Sequence, residues 1–270
     1  MKVGMLADEL SPAPRTAWEM AALYGLKYLE LRMWYNHRAP LGMSEADMKD
    51  ARASADEWGL QFSSISPGLF KVEAGSPELE NHTGDLFDKC LDLCDTLGSK
   101  VMVSFTPIVP VAERGNWGDG LVESFRNLGD QAQARGIFIA IENEPICVAS
   151  SAPLTAKLVK EIAHPAVRMN YDPGNDAFSA QSSGPDAWDE VRPVLGHVHV
   201  KDYVVEEGGA HPVDCGRGGA NWCFILAQLK QINYDGFLIL EPHDSPLIVA
   251  NQRAILALRH LMADAGVPWA

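Results

Sequence analysis

The segment IFIAIENEP, residues 137–145, decides how the rest of this 270-residue chain is read. Five apolar residues, Ile137 to Ile141, run into Glu142 and then into a loop containing Pro145. A short β-rich run of this kind reads as a parallel strand buried on both faces. A carboxylate at its end is costly unless it is paired or binds something. Three more runs share the construction: VRMNYDPGN (167–175) reaches Asp172, LGHVHVKD (195–202) carries His199, and GFLILEPH (236–243) reaches Glu241. If such strands close into a ring, the four side chains converge at one end. Oxygen ligands with one imidazole suit a divalent metal.

Working outward, strand-like and helix-like stretches alternate along the chain. KVGMLA (2–7) precedes a helical stretch at 14–25, YLELR (28–32) one at 44–59, and QFSSIS (61–66) one at 86–98. VMVSFT (101–106) precedes 119–136, IFIAIE (137–142) precedes 152–163, and VRMNYD (167–172) precedes 185–192. HVHVKD (197–202) precedes 222–232, and FLILE (237–241) precedes a last helix from Leu247 to Met262. The helical pieces place apolar residues three and four apart, as in Leu86, Cys90, Leu93 and Leu97. Several end at a glycine suited to a left-handed cap, namely Gly25, Gly59, Gly98 and Gly136. Strict alternation predicts the α/β class, and eight units predict a single (β/α)8 TIM barrel domain spanning residues 1–270. No G-x-G-x-x-G follows the first strand, so nothing points to a dinucleotide-binding open sheet. The longest loops, after strands 3, 4 and 7, fall on the face where barrel enzymes build their sites.

Charge narrows the partners. Thirty-six acidic residues against 22 basic give a net charge of −14. That balance argues against nucleic acid and against anionic membrane surfaces. Five cysteines without a repeated C-x-x-C give neither a disulfide framework nor a zinc-finger pattern, and Cys90 and Cys94 read as packing on one helix face. MKVGMLADEL lacks a long apolar signal core and no run reaches membrane-spanning length. The expectation is a reduced, cytoplasmic protein.

The motifs IENEP, YDPGN, HVHVKD and LEPH together resemble the xylose-isomerase-like (β/α)8 superfamily of sugar isomerases and epimerases. The resemblance runs from the GMLADEL of the first strand to the LEPH of the eighth. It implies that the metal ligands are Glu142, Asp172, His199 and Glu241, with His197 structural. It implies a divalent ion, Mn²⁺ first, with Mg²⁺ or Co²⁺ as alternatives. It further implies that Glu142 and Glu241 are catalytic, exchanging a proton with the carbon beside a carbonyl while the metal stabilises an enediolate. The implied function is isomerisation or epimerisation of a ketose, keto-polyol or related small carbohydrate. The alternative is a lyase or dehydratase acting on a keto-sugar or inosose-like substrate. Relatives are often dimers or tetramers, so a homo-oligomer is compatible with the resemblance.

Three positions depart from the epimerase pattern. Asn175 stands where many relatives carry a substrate-contacting His, Val205 where the epimerases carry an Arg, and Val148 where they carry a second Glu. Endonuclease IV belongs to the same superfamily, but its extra His ligands are missing and the charge opposes DNA. The expected substrate contacts are Asn175, Lys201, Arg217 and Phe70. Lys201 faces the site or pairs with Asp202; Arg217 in DCGRGGANW clamps an anion or stands exposed. Trp34, Trp117 and Phe70 supply an apolar wall or an oligomer contact, and His243 and Glu144 support the ligands or simply occupy loops.

Overall fold

The structure, a computed structural model, describes residues 1–181 and 183–269. Eight parallel strands form the barrel: β1 (Lys2–Leu6), β2 (Tyr28–Leu31), β3 (Gln61–Leu69), β4 (Val101–Ser104), β5 (Phe138–Glu142), β6 (Val167–Tyr171), β7 (Leu195–Val200) and β8 (Phe237–Leu240). Each pairs with the next in sequence, and β1 closes the ring on β8, with Lys2 opposite Phe237 and Met5 opposite Leu240. Between and after them run the main helices Pro14–Leu23, Glu45–Glu57, Asp85–Leu97, Asp119–Ala134, Ala152–Ile162, Pro185–Val191, Trp222–Gln231 and Leu247–Asp264. The closed barrel expected from the alternation is therefore the fold.

Local chemistry explains the boundaries. The helix Glu45–Glu57 starts in a capping box, in which Ser44 Oγ accepts from Asp47 N at 3.2 Å and Ser44 N donates to Asp47 Oδ2 at 2.8 Å. Gly98 caps the helix Asp85–Leu97 at φ 72°, a left-handed conformation that needs no Cβ. That helix turns Leu86, Phe87, Cys90, Leu93, Cys94 and Leu97 into the core, so both thiols are packing groups, and burial raises their pKa values. On another face, Trp18 packs edge-on against Phe62 and donates to Ser54 Oγ at 2.9 Å.

Two antiparallel hairpins rise from loops that follow strands. Met33–Trp34 pairs with His37–Arg38 after β2, and Asp202–Glu206 pairs with Gly209–Val213 after β7. The strand/helix alternation does not reveal them, because each lies inside a connection between a barrel strand and the next helix. Among the described residues no helix is long and apolar enough to cross a membrane.

Close packing of the barrel wall is testable at Gly4 in β1. A Cβ there would stand 2.6 Å from the Tyr28 carbonyl oxygen and 2.9 Å from Ile239 Cδ1. Gly4→Ala is therefore expected to destabilise the protein by about 1–3 kcal/mol in urea denaturation, with no change in residual secondary structure. An unchanged midpoint would contradict this packing.

Candidate metal centre

The strands deliver one ligand each to the same end of the barrel. Glu142 is the last residue of β5, Asp172 follows β6, His199 is next to last in β7, and Glu241 follows β8. One atom from each lies within 4.8 Å of the other three, and all four residues are buried.

The orientation of His199 comes from a residue on the far side of the barrel. Glu30 of β2 is fully buried, beside a register shift between Leu29 and Glu30. Its Oε1 lies 3.0 Å from His199 Nε2, while its Oε2 meets His197 Nε2 at 3.0 Å and accepts from Ser64 Oγ at 2.5 Å. Burial would raise the Glu30 pKa, but the His199 and His197 rings hold it well below the usual carboxylate range. With Nε2–H committed to Glu30, Nδ1 is the ring atom turned toward the cluster; burial opposes a charged ring, but Glu30, Glu142 and Glu241 raise the His199 pKa well above its usual value. That atom is buried without a hydrogen-bond partner, 3.2 Å from Glu142 Oε2 and 3.3 Å from Glu241 Oε2. Two carboxylate oxygens this close to Nδ1 call for a positive charge at that point, a ring proton or a metal ion in its place. The donor set fits a divalent metal ion.

Charge counting agrees. Lys201 Nζ enters the same cluster, 2.8 Å from Asp172 Oδ2 and donating to Glu241 Oε2 at 3.0 Å. Desolvation opposes the ammonium, but Asp172 and Glu241 raise its pKa well above the usual lysine value. Three carboxylates share a buried space with one ammonium and the His199 ring, a set richer in acidic than in basic groups. Such an excess is not tolerated without compensation.

A ring of amides holds the ligands in place. Asn170 Nδ2 donates to Glu142 Oε2 at 2.9 Å, and Asn175 Nδ2 donates to Glu142 Oε1 at 3.0 Å and to the Asn143 carbonyl at 2.8 Å. Asp172 caps the short helix Pro173–Phe178 through Asn175 N at 3.0 Å, and this fixes which oxygen turns to the cluster. At the mouth, Arg32 Nη1 donates to Glu241 Oε1 at 2.6 Å, while its other nitrogens hold Asp8 at 2.7 and 2.9 Å and Glu9 at 3.0 Å. His243, at φ 51°, sits with Nε2 3.0 Å from Glu241 Oε1 and Nδ1 3.1 Å from Tyr203 Oη. A non-glycine residue in that backbone region is strained and is held there by its partners.

Of the expected substrate contacts, the structure brings Asn175 and Lys201 to the cluster. Asn175 is engaged with Glu142, and Lys201 lies inside rather than against Asp202. Asp202 instead accepts from the backbone of Gly216, Gly218 and Ala220 and pins the loop that carries Arg217. Arg217 is exposed on that loop. Phe70 is buried with its ring stacked on Phe125, centroids 4.8 Å apart, so it faces a helix rather than the metal ligands. Trp117 donates to Glu161 at 3.1 Å, Trp34 packs on Tyr35, and Glu144 pairs with Lys71 at 2.6 Å. Sequence reasoning passed over Glu30, Arg32, Asn143 and Asn170. The signal was present in Y-L-E-L-R, where a charge interrupts a strand-like run just as Glu142 does.

Comparison with known proteins places this architecture. Residues 18–263 match the family described as xylose isomerase-like TIM barrel. The chain belongs to that family. Among solved structures, the IOLI protein with a bound zinc atom is similar at TM-score 0.77 and 16% identity, over 98% of both chains. D-psicose 3-epimerase from Clostridium cellulolyticum H10, solved with D-tagatose, gives 0.73 and 18% over 97% of this chain and 99% of that one. The probable 3-DHS dehydratase AsbF from Bacillus anthracis gives 0.75 and 16% over 96% and 99%. At these identities the likeness is one of fold, and the family's members divide between isomerisation, epimerisation and dehydration.

Two predictions arise from these contacts. Glu30→Gln removes the negative acceptor that selects the His199 tautomer, so divalent-metal affinity is expected to fall about 10–100-fold in chelator competition. Unchanged affinity would mean that His199 needs no such orientation. The second concerns Asp176, whose Oδ1 accepts from Ala152 N at 3.0 Å and whose Oδ2 is buried without a partner. Burial raises its pKa to about 7. The native state then keeps a proton that the unfolded chain releases near pH 4, so this residue lowers stability as pH rises between about 4 and 7. Asp176→Asn is expected to flatten that fall in denaturation midpoints measured across the window. A parallel pH profile would show that Asp176 ionises normally.

Proposed function

We propose that this protein is a divalent-metal-dependent isomerase or epimerase acting on a ketose, keto-polyol or related small carbohydrate. One observation carries the reading: the unpartnered His199 Nδ1 facing oxygens of Glu142 and Glu241, with Asp172 alongside. Glu142, Asp172, His199 and Glu241 would hold the ion, with Mn²⁺ first and Mg²⁺ or Co²⁺ as alternatives. When bound, such an ion polarises a substrate carbonyl and offsets the charge that develops on its oxygen. Glu142 and Glu241 are then the groups that take and return a proton at the adjacent carbon. Asn170 and Asn175 aim the Glu142 carboxylate, and Lys201 offers a charged N–H to a substrate oxygen. The fold similarity to an epimerase and to the IOLI protein supports the class of chemistry. The net charge of −14 supports small-molecule rather than nucleic-acid partners. We place this activity in a single barrel domain acting in the cytoplasm.

Lys201 favours a second reading. A buried ammonium beside the ligands can stabilise negative charge on a departing hydroxyl by a charged hydrogen bond, so β-elimination from the same kind of carbanion is the alternative, as in a dehydratase.

The deciding experiment measures metal content of wild type and Glu142→Gln, followed by NMR of ketose and inosose panels in D₂O with added Mn²⁺. Stoichiometric metal in wild type, at least tenfold reduced in the variant, is expected together with deuterium entering beside a carbonyl. Epimer or aldose products support the first reading and loss of water the second. Wild-type protein that holds no divalent metal after supplementation would sink both.

A further inference from the structure

Arg38 is a cation without a counter-ion. It ends the small hairpin after β2, where it pairs with Met33, and the next residue ties back through Ala39 N to the Arg32 carbonyl at 3.0 Å. The chain therefore holds the segment of Arg38 against the segment of Arg32. Arg32 is saturated by Asp8, Glu9 and Glu241. Arg38 is different: its Nη1 is buried without a hydrogen-bond partner, and among the described residues it forms no ion pair. Burial first, and then the nearby Arg32, lower its pKa, whereas Asp8, Glu241 and Glu142 act on it more weakly in the other direction. The tie from Ala39 to Arg32, whose guanidinium holds Glu241 at 2.6 Å, keeps this hairpin beside the candidate metal centre.

The backbone is shaped around this side chain. Gly68 of β3, at φ 78°, lets the arm lie flat on it; a Cβ there would stand 3.1 Å from Arg38 Cδ and 3.2 Å from Nη1. Arg38, Gly68, Lys71, Asn81 and His82 line one cavity of about 370 Å³, with the exposed Glu78 also on its wall. Lys71 is neutralised by Glu144 at 2.6 Å, and His82 Nδ1 accepts from Phe70 N at 2.7 Å. Arg38 is thus the lining cation left with unused donors. An arginine fork held this way, half out of water with no acceptor, is costly to the apo fold and matches the planar oxygens of a carboxylate or phosphate.

We propose that Arg38 receives an anionic group of the substrate, so that the molecule handled at the metal centre is a keto compound carrying a carboxylate or phosphate away from its reacting carbon. This rests on the metal-enzyme reading for the reacting end. The anion-binding step itself is read independently of turnover.

The test uses manganese-supplemented full-length protein and three probes that differ in one group: glycerol, D-glycerate and glycerol 3-phosphate. Binding is followed by calorimetry and by thermal shift, for wild type, Arg38→Met and Arg38→Lys. Wild type is expected to bind one anionic probe at least tenfold more tightly than glycerol, and the preferred probe tells carboxylate from phosphate. Arg38→Met should lose that preference while keeping its metal and folding at least as stably without ligand. Arg38→Lys should keep part of it. Equal binding of all three probes, or a preference that survives Arg38→Met, overturns the inference. Metal content of the same wild-type sample tests the functional reading separately, since its loss leaves the Arg38-dependent anion preference measurable.

Discussion

A single buried carboxylate, Glu30, bridges two imidazoles inside the barrel, and the metal-facing cluster takes its orientation from that bridge. Without an acceptor at His199 Nε2, the ring could protonate on either nitrogen, and Nδ1 would as readily point a proton at Glu142 and Glu241. With Glu30 ionised at 3.0 Å from Nε2, that nitrogen keeps its proton, and Nδ1 is the atom left to meet a cation, a proton or a metal ion, beside Glu142 and Glu241. The carboxylate stays charged in a fully buried position because His197 and Ser64 share its second oxygen. Four strands supply ligands, but a fifth strand, on the other side of the ring, decides how one of those ligands is presented.

The cluster also shows why such a barrel must carry its cations at fixed places. Glu142, Asp172 and Glu241 are all buried, and their mutual repulsion would drive one of them to protonate if nothing intervened. Burial raises the Asp172 pKa to about 7 even with Lys201 beside it. Lys201 offsets part of the excess from within, and Arg32 offsets part from the mouth while binding Asp8 and Glu9 at the end of β1. Arg32 is shared with Asp8 and Glu9, so these cations offset the inner carboxylates only in part, and a divalent ion suits the remainder.

The barrel and the clustering of Glu142, Asp172, His199 and Glu241 were legible because both depend on local pattern. Alternating apolar runs and helical spacings fix the order of elements, and each ligand closes a run that has no other reason to end in a charge. What lay hidden depends on pairings across the ring. Glu30 is separated by 167 residues from His197 and by 169 from His199, and only closure of the barrel joins them. Asn175 was read as a substrate contact because of its position in YDPGN, yet its amide turns back to Glu142, since Asp172 caps its backbone and sets its direction. Phe70 was read as an apolar wall because it follows a strand. Its positive φ of 65° and the stacking on Phe125 send the ring outward instead. The hairpin carrying Arg38 is two residues a side, too short for any periodicity to announce it.

The two glutamates that frame the cluster are not equivalent, and the difference bears on which one moves a proton. Glu142 is held by neutral amides, Asn170 on one oxygen and Asn175 on the other, with His199 beside it. Glu241 is held by charge: Arg32 and His243 on Oε1, Lys201 on Oε2. Burial pushes both pKa values up. For Glu142, His199 brings the value to below normal, whereas Lys201 and then His243 carry Glu241 well below. A carboxylate stabilised by two permanent cations is a weak base, because accepting a proton forfeits those attractions. One stabilised by amides keeps more of its basicity, and its amide partners can serve the protonated form as well. In the proposed reaction, this difference would assign proton abstraction to Glu142. Glu241, wrapped in cations, would then be the weaker base of the pair, and Lys201, its ammonium held by Asp172 and Glu241, serves to fix that carboxylate in place.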